Sequence, residues 1–536
     1  MSVPSRTLVD VRTVLVPDGD GAMLIRTDDS GARLGEPQRV SDVVAAVRKI
    51  EAAEHPRWVW EDTTRVYPAL LNAGVRVQRC HDLTLTGALL DMRAGRFVPM
   101  AGAPVDDRPG LFDVVPRTGP DILLARHHDQ LATIGGDPRL RLLVAAESAG
   151  GLAAAEMSHD GLPFSEAAHR TLLERALGPR TPDSVLPDRL RELATEVSSA
   201  FGRTVNPASQ VEVVAAFARE GIELHSTRAY LLREVDHPAV EPLLRYRDLA
   251  KLHAANGWTW LDAWVRGDRF RPVYVPGGVV SGRWASRGGG ALQIPKTLRS
   301  SVIADSGHTL VIADAGQLEP RILAAMSTDP RMMAAAGADD LYSPVAAEAF
   351  GGDRDKAKVA ILGVLYGATA GEARALLGLL RKRFPTAVQF VEDAARAGER
   401  GEVVHSWLGR ACPPPDDSWW SNGDAHARGR FTRNFVVQAT ASEWALCLLA
   451  DLRRRLSASP GDGELVFFQH DEVMVHTSRP EVAAGHVLAA ATSATRLLFG
   501  DTAVRFPMDV EIRDCYAEPA PSNTGCSSAA KTQVRS

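Results

Sequence analysis

The spacing of apolar and polar positions changes character twice along the chain. Up to about residue 135, short apolar runs alternate with amphipathic stretches. VRTVLVP, AMLIR and RWVW read as strands, and YPALLNAG and LTLTGALLDM as helices. A loop rich in Pro, Gly and Asp follows from Val98 to Pro120. This pattern predicts a small α/β unit. From about 140 to 265, apolar residues recur at three-and-four spacing in RLRLLVAAESAGGLAAAEM, SEAAHRTLLERAL, PDRLRELATEVSSAF and VEVVAAFARE. PAVEPLLRYRDLAKLHAANGWTWLDAWV reads as one further long helix. Beyond about 270 the two periods mix. HTLVIAD and ELVFFQHDEVMVH are strand-like, whereas RDKAKVAILGVLYG and NFVVQATASEWALCLLADLRRRL are helix-like. The tail from about Glu518 is small and polar and reads as disordered.

Composition narrows the class. A chain of 536 residues is too long for one core and suits several structural units. No run of about 18 uncharged apolar residues is present, so no membrane span is expected. The N-terminus lacks the pattern of a signal peptide, which makes the cytoplasm the expected compartment. Cys80, Cys412, Cys447, Cys515 and Cys526 are scattered and never form C-x-x-C, which argues against a zinc site or a disulfide framework. A net charge of −5 gives no support to nucleic-acid binding by itself. The charge is uneven, however: Arg381, Lys382, Arg383, Arg396, Arg400, Arg410, Arg428 and Arg430 crowd one stretch, as either a local basic groove or a solvated face.

Three segments carry candidate chemistry. In HTLVIADAGQLEPRILAAMS an apolar strand delivers Asp314 at its end, beside backbone carbonyls, before a helix that starts near Pro320. That is a setting for a hard divalent cation, or simply a helix cap. In ELVFFQHDEVMVH two apolar strands flank His470, Asp471 and Glu472, which predicts a hairpin whose tip presents two adjacent acids. Together with Asp314 these acids offer what two-metal phosphoryl transfer needs. In RDKAKVAILGVLYG, Arg354, Lys358, Leu362 and Tyr366 recur every fourth residue and form one slanting stripe on a helix. Cations at one end match a triphosphate, and the apolar and aromatic end matches a base.

In this order, and with two more segments, these motifs resemble family A DNA polymerases of the bacterial DNA polymerase I type. DAGQLEPR stands where that family has D-Y-S-Q-I-E-L-R. RDKAKVAILGVLYG stands for R-x-x-x-K-x-x-x-F-G-x-x-Y-G, and H-D-E is intact. SGRWASRGGGALQIP and RFTRNFVVQATA are similar to the family's T-G-R-L-S-S…L-Q-N-I-P and R-x-x-x-N-x-x-V-Q-G-T-A. The resemblance covers about 140–515. It implies Asp314 and Asp471 as Mg²⁺ ligands, with the backbone at Ala315 and with Mn²⁺ as an alternative ion. Glu472 would be an auxiliary acid, and Lys358 the proton donor to pyrophosphate. Arg354, Lys358, Leu362, Tyr366, Gln317 and Tyr342 would line the dNTP. Glu319 would exclude a ribose 2′-hydroxyl. Arg283, Gln293, Arg430, Asn434, Gln438 and His470 would meet primer–template DNA.

The sequence departs from the family in places. Ala315 and Gly316 replace Tyr and Ser, which predicts looser packing behind the metal site. Leu362 replaces Phe, Tyr342 replaces His, and the Asn of L-Q-N-I-P is missing. The expected fold is a multidomain mixture of α/β and α+β. It has a ribonuclease H-like, 3′–5′ exonuclease-type unit over 1–135, a thumb over 140–265, a palm over 266–340 and 425–518, fingers over 341–424 and a tail over 519–536. In the N-terminal unit Asp82 falls where proofreading domains have an Asp, but the opening D-x-E is absent. Asp18, Asp20, Glu61, Asp62 and Asp129 are loose candidates only, so that unit is expected to be inactive. The expected protein is a monomer acting on primer–template DNA and dNTPs. Two rivals are a single-subunit RNA polymerase or primer-making enzyme, and a non-catalytic DNA-binding protein with a decayed polymerase fold.

Overall fold

The computed structural model describes residues 11–96, 119–290, 294–367, 372–415, 419 and 423–518. The Pro/Gly/Asp loop after Val98, Gln293 and the tail beyond Glu518 lie outside these residues.

The N-terminal unit is built on five strands: β1 (Arg12–Asp18), β2 (Gly21–Thr27), β3 (Gln38–Val40), β4 (Arg57–Trp60) and β5 (Cys80–Asp82), in the order β3-β2-β1-β4-β5. The first three pair antiparallel, and β1, β4 and β5 run parallel. Alternation along β1 sends Val14 and Val16 to one face and Leu15 to the other. Helix α1 (Val43–Glu54) packs on the Leu15 face with α2 (Thr63–Asn72), and helix α3 (Leu83–Arg93) follows β5. The opposite face is covered by α4 (Pro120–Ile134) through Leu123. The sequence pattern does not mark β3, which is three residues long, nor α1 and α4.

Helix α5 (Pro138–Asp160) is the hinge of the architecture. Asp137 caps it, accepting from the N–H groups of Arg139 and Leu140. One side packs on α2, α3 and β5, and the other packs on the C-terminal half of the molecule. Two adjacent glycines allow this double approach. A Cβ on Gly150 would stand 2.6 Å from Leu446 Cδ2, and one on Gly151 would stand 3.0 Å from Leu85 Cδ1. The segment expected as a thumb therefore begins with a helix sandwiched between two units. The single long helix expected over Pro238–Val265 is two, Val240–Asn256 and Trp258–Trp264. They break at Gly257, where a Cβ would fall 2.3 Å from the His253 carbonyl oxygen.

The C-terminal half carries a four-stranded antiparallel sheet. Its strands are β6 (Thr309–Ala315), β7 (Glu464–Gln469), β8 (Glu472–Thr477) and β9 (Met508–Arg513), in the order β7-β8-β6-β9. Its helices are α6 (Leu318–Ser327), directly after β6, then α7 (Arg354–Tyr366), α8 (Pro385–Glu399), α9 (Ala425–Ala458) and α10 (Pro480–Phe499). Helix α9 starts nine residues before the apolar periodicity does, because Asp424 caps it at the His426 N–H. Helices α9 and α10 are long and apolar enough to cross a bilayer by composition, and 89% of the apolar window in α9 is buried inside the fold. Among the described residues Cys80, Cys412, Cys447 and Cys515 are buried and form no disulfide.

Candidate active site

The site is assembled at one end of the four-stranded sheet. Asp314, on the central strand β6, pairs directly with Glu472 on β8 and with Asp509 on β9. Directly opposed residues of antiparallel neighbours share a face, so three carboxylates stand in one row across three strands. Asp471 joins them from the β7–β8 turn, whose Asp471 carbonyl accepts the Ala315 N–H at 3.1 Å. This backbone hydrogen bond, made by the residue after Asp314, brings two acids more than 150 positions apart close enough for the Asp314 charge to act on Asp471. One correction follows for the hairpin. Its two-residue tip is His470–Asp471, and Glu472 is a strand residue opposite Gln469.

Electrostatics at this end are unfavourable without a cation. Burial, then the neighbouring Asp314 charge, pushes Asp471 up to about 7. Burial and Asp509 raise Asp314, and burial raises Glu472. Glu472 is steadied by Tyr516, whose hydroxyl donates to it at 2.5 Å. Among the described residues no group of three or more His, Cys, Asp or Glu side chains is placed to hold a metal ion. An open pair of mutually repelling carboxylates fits Mg²⁺, which takes one or two carboxylates and fills its other positions with water and phosphate oxygens.

Two backbone outliers flank the acids. Gln317 and His470 hold φ of +58° and +60°, a left-handed region that non-glycine residues seldom occupy. Gln317 is fixed there by its side chain: Nε2 donates to Asp340 at 2.5 Å, and Oε1 accepts the Leu341 N–H at 2.8 Å. Asp340 also accepts Arg354 through two nitrogens, at 2.9 and 3.2 Å, and Ser343 at 2.5 Å. These partners hold its carboxyl well below the usual range despite the opposing effect of burial. The Arg354 guanidinium lies over the ring of buried Tyr342, 5.4 Å from its centroid. Arg321, fully buried, donates to the carbonyls of Gly316, Ala336, Ala338, Asp339 and Arg505, and so ties the Asp340 loop to the end of β6.

Glu319 on α6 is held from two sides. Arg283 forms an ion pair with it, and the Tyr366 hydroxyl donates to it at 2.7 Å. Arg283, expected at DNA, is thus engaged with Glu319 here. The stripe on α7 exists as spaced: Arg354, Lys358 and Tyr366 are exposed and Leu362 is half-buried. Ala315 is 2% exposed within the core, so the looser packing expected behind the site is not found at that residue. On α9, Arg430 is exposed near Asp424, and Asn434 and Gln438 are half-buried one turn apart. The Asn434 Oδ1 is buried and makes no hydrogen bond. Asp340, Arg321, Tyr516 and Asp509 were missed as site residues. Arg321 closes the quoted DAGQLEPR, and that spacing was the one available signal.

In the N-terminal unit Asp62 lies close enough to Asp82 for its charge to act there, and Glu61 lies 3.9 Å from Arg65. Asp18 and Asp20 pair with Arg39, Asp62 caps α2, and Asp129 is exposed on α4. Asp82 caps α3 and accepts the Thr63 N–H, and burial pushes it up to about 6.

Acids grouped on an antiparallel sheet, together with a helix that bears exposed Arg354 and Lys358, suit a polymerase fold. The chain belongs to the DNA polymerase family A, whose model matches residues 182–515. It is similar to DNA polymerase I of Chloroflexus aurantiacus, at 26% identity over 56% of this chain and 35% of that protein. It is likewise similar to the thermostable DNA polymerase I of Thermus aquaticus, at 26% identity over 52% and 36%. The matches thus span about a third of those relatives' length. A solved structure described as the POL domain of Pol1 from M. smegmatis, in complex with DNA primer-template and dNTP, shares the fold with a TM-score of 0.69. The match covers 95% of this chain and 96% of that one, at 19% sequence identity.

Proposed function

We propose that this chain is a template-directed DNA polymerase that adds a dNMP from a dNTP to a primer 3′-hydroxyl and releases pyrophosphate. The observation that carries this reading is the convergence of Asp314 and Asp471, joined by the Ala315-to-Asp471 backbone hydrogen bond. On this reading Asp314, Asp471 and the Ala315 backbone hold two Mg²⁺ ions, with Glu472 as an auxiliary acid. When bound, the ions neutralise the triphosphate and acidify the primer hydroxyl.

The chain's own residues do the rest. Arg354 and Lys358 grip the triphosphate oxygens, and Lys358 supplies the proton to pyrophosphate. Leu362, Tyr366, Gln317 and Tyr342 wall the nucleotide. Glu319 fills the space a ribose 2′-hydroxyl would need, and its anchoring by Arg283 and Tyr366 favours dNTPs over rNTPs. Arg283, Gln293, Arg430, Asn434, Gln438 and His470 track primer and template. A thumb over 140–265, a palm over 266–340 and 425–518 and fingers over 341–424 are the working division. The N-terminal unit serves as scaffold rather than as a proofreading site, a reading supported by Asp18 and Asp20 pairing with Arg39 and by Asp62 and Asp82 capping helices. Gap filling or repair by a cytoplasmic monomer is the role we infer.

The test is primer extension with Mg²⁺ and separate dNTP and rNTP pools. Extension with dNTPs that disappears in both Asp314→Ala and Asp471→Ala is expected. Extension surviving in either variant, or preferring rNTPs, would overturn the reading.

A further inference from the structure

Arg410 belongs to the run of basic residues between Arg381 and Arg430, yet it is buried. Its side chain is 7% exposed, and Nη2 donates at 2.6 Å to Oε2 of Glu147 on α5, whose side chain is 3% exposed. Local bonds hold the arginine's backbone. Its N–H donates to the Ser406 hydroxyl at 2.8 Å, and its carbonyl accepts the Ser406 N–H at 2.9 Å. The Ser406 hydroxyl in turn donates to Glu443, buried in α9. The pair is therefore anchored from α5 on one side and from α9 on the other.

A loop is folded onto this pair. The short strands Val273–Val275 and Ala285–Arg287 pair antiparallel, with Val275 opposite Ala285, and the connection between them passes over Glu147 and Arg410. Two glycines make the approach possible. A Cβ on Gly277 would stand 2.4 Å from Glu147 Oε1, and one on Gly282 would stand 2.6 Å from Arg410 Nε and 2.7 Å from Cζ. Both hold positive φ, +62° and +79°, so neither the space nor the backbone suits a side chain there. The loop is also closed on itself. The Gly282 N–H donates to the Val279 carbonyl at 2.7 Å, and the Val279 N–H donates to the Arg283 carbonyl at 3.0 Å. The residue after Gly282 is Arg283, whose guanidinium forms the ion pair with Glu319. A buried charge pair thus lies one residue away from the backbone that delivers Arg283 to Glu319.

We propose, resting on the polymerase reading above, that Glu147 and Arg410 are positioning residues for sugar selection. The pair fixes the loop, the loop aims Arg283, and Arg283 together with Tyr366 keeps Glu319 in the orientation that meets a ribose 2′-hydroxyl. With the pair broken, Arg283 loosens, Glu319 turns aside and a ribonucleotide fits. Both residues act through Arg283 rather than on the nucleotide. The experiment is steady-state addition of one nucleotide opposite a template dG by the full chain, with dCTP and with CTP. The quantity read is the ratio of kcat/KM for dCTP to that for CTP, which does not depend on the fraction of enzyme that is folded. Glu147→Gln and Arg410→Gln should each lower that ratio about fivefold or more, chiefly through a lower KM for CTP. Arg283→Gln should lower it as much, and adding Arg410→Gln to Arg283→Gln should change it by less than about twofold further. The double variant Glu147→Gln/Arg410→Gln strands no charge in the interior, so it keeps the test decisive if a single change prevents folding, and it should show the same loss of discrimination. A ratio within about twofold of the parent in the double variant, even with kcat/KM lowered for both nucleotides, would leave the pair a purely structural role and sink the proposal. So would full additivity of Arg283→Gln and Arg410→Gln. A parent chain that extends with neither nucleotide, or that favours CTP, removes the polymerase reading and this proposal with it. A parent that favours dCTP while its variants keep the ratio removes the proposal alone.

Discussion

Single residues in this protein are tuned by what surrounds them, and two make measurable statements. Glu443 on α9 is fully buried between the Ser406 hydroxyl and the Leu408 N–H, 3.0 Å away. Burial pushes it up to about 7, against the lowering effects of Ser406 and Arg410. An unfolded Glu titrates near 4.3, so between about pH 4 and 7 the folded state holds a proton that the unfolded state has lost. Stability contributed by this group therefore falls as pH rises through that window. Glu443→Gln keeps an acceptor for Leu408 and should shrink the Tm drop between pH 5.5 and 8 by about 2–4 °C. Melting curves at the two pH values check this, and an unchanged drop would refute the assignment. Asp340 is the second case. It holds Arg354 through two nitrogens, and both side chains are partly solvated, so the pair is modest in energy but directional. Asp340→Asn should raise the KM for dNTP roughly two- to fivefold with little change in kcat. In an Arg354→Ala background the same change should add nothing. An additive effect would mean that Asp340 works through Gln317 instead.

At the level of elements, helix α7 shows how far a sequence can be read. The spacing of Arg354, Lys358, Leu362 and Tyr366 was visible because one helix carries all four. The β7–β8 hairpin was visible because two apolar runs are separated by a polar tip. The closeness of Asp314 and Asp471 was legible only through motif order, since periodicity says nothing about which strands become neighbours. Asp340 was not legible: it lies between helices in no periodic segment, and its role comes from partners 14 and 23 positions away. Asp509 was hidden for a related reason, because β9 alternates without a motif and acquires meaning only opposite Asp314. The stripe also carries a prediction. Leu362 is half-buried where the family has an aromatic, and stacking of a base on an aromatic ring is worth about 1–3 kcal/mol. Leu362→Phe should lower the KM for dNTP about fivefold or more in steady-state extension. An unchanged KM would show that the residue packs inward and never meets the base.

At the scale of the whole molecule, the N-terminal unit is bound to the C-terminal half by buried charge. Arg453 on α9 is 2% exposed and donates to both oxygens of Glu156 on α5, at 3.0 and 2.5 Å. It also donates to the carbonyls of Val77 and Gln78, each at 2.7 Å. The Tyr67 hydroxyl donates to the same Glu156 at 2.6 Å and accepts the Val77 N–H at 3.1 Å. One arginine of the C-terminal half therefore satisfies acceptors on α5 and in the N-terminal unit. Removing one member of such a network strands the remaining charge in the interior, which typically costs about 3–5 kcal/mol. Arg453→Met should lower the denaturant midpoint strongly and separate the unfolding of the two halves into distinct transitions. Adding Glu156→Gln, which removes the stranded charge, should recover part of the loss. A single cooperative transition at the original midpoint in Arg453→Met would show that apolar packing around Leu152 and Gly150 alone joins the halves. The expected outcome gives the N-terminal unit a structural role: its surface completes the burial of α5, against which α9 and the four-stranded sheet are packed.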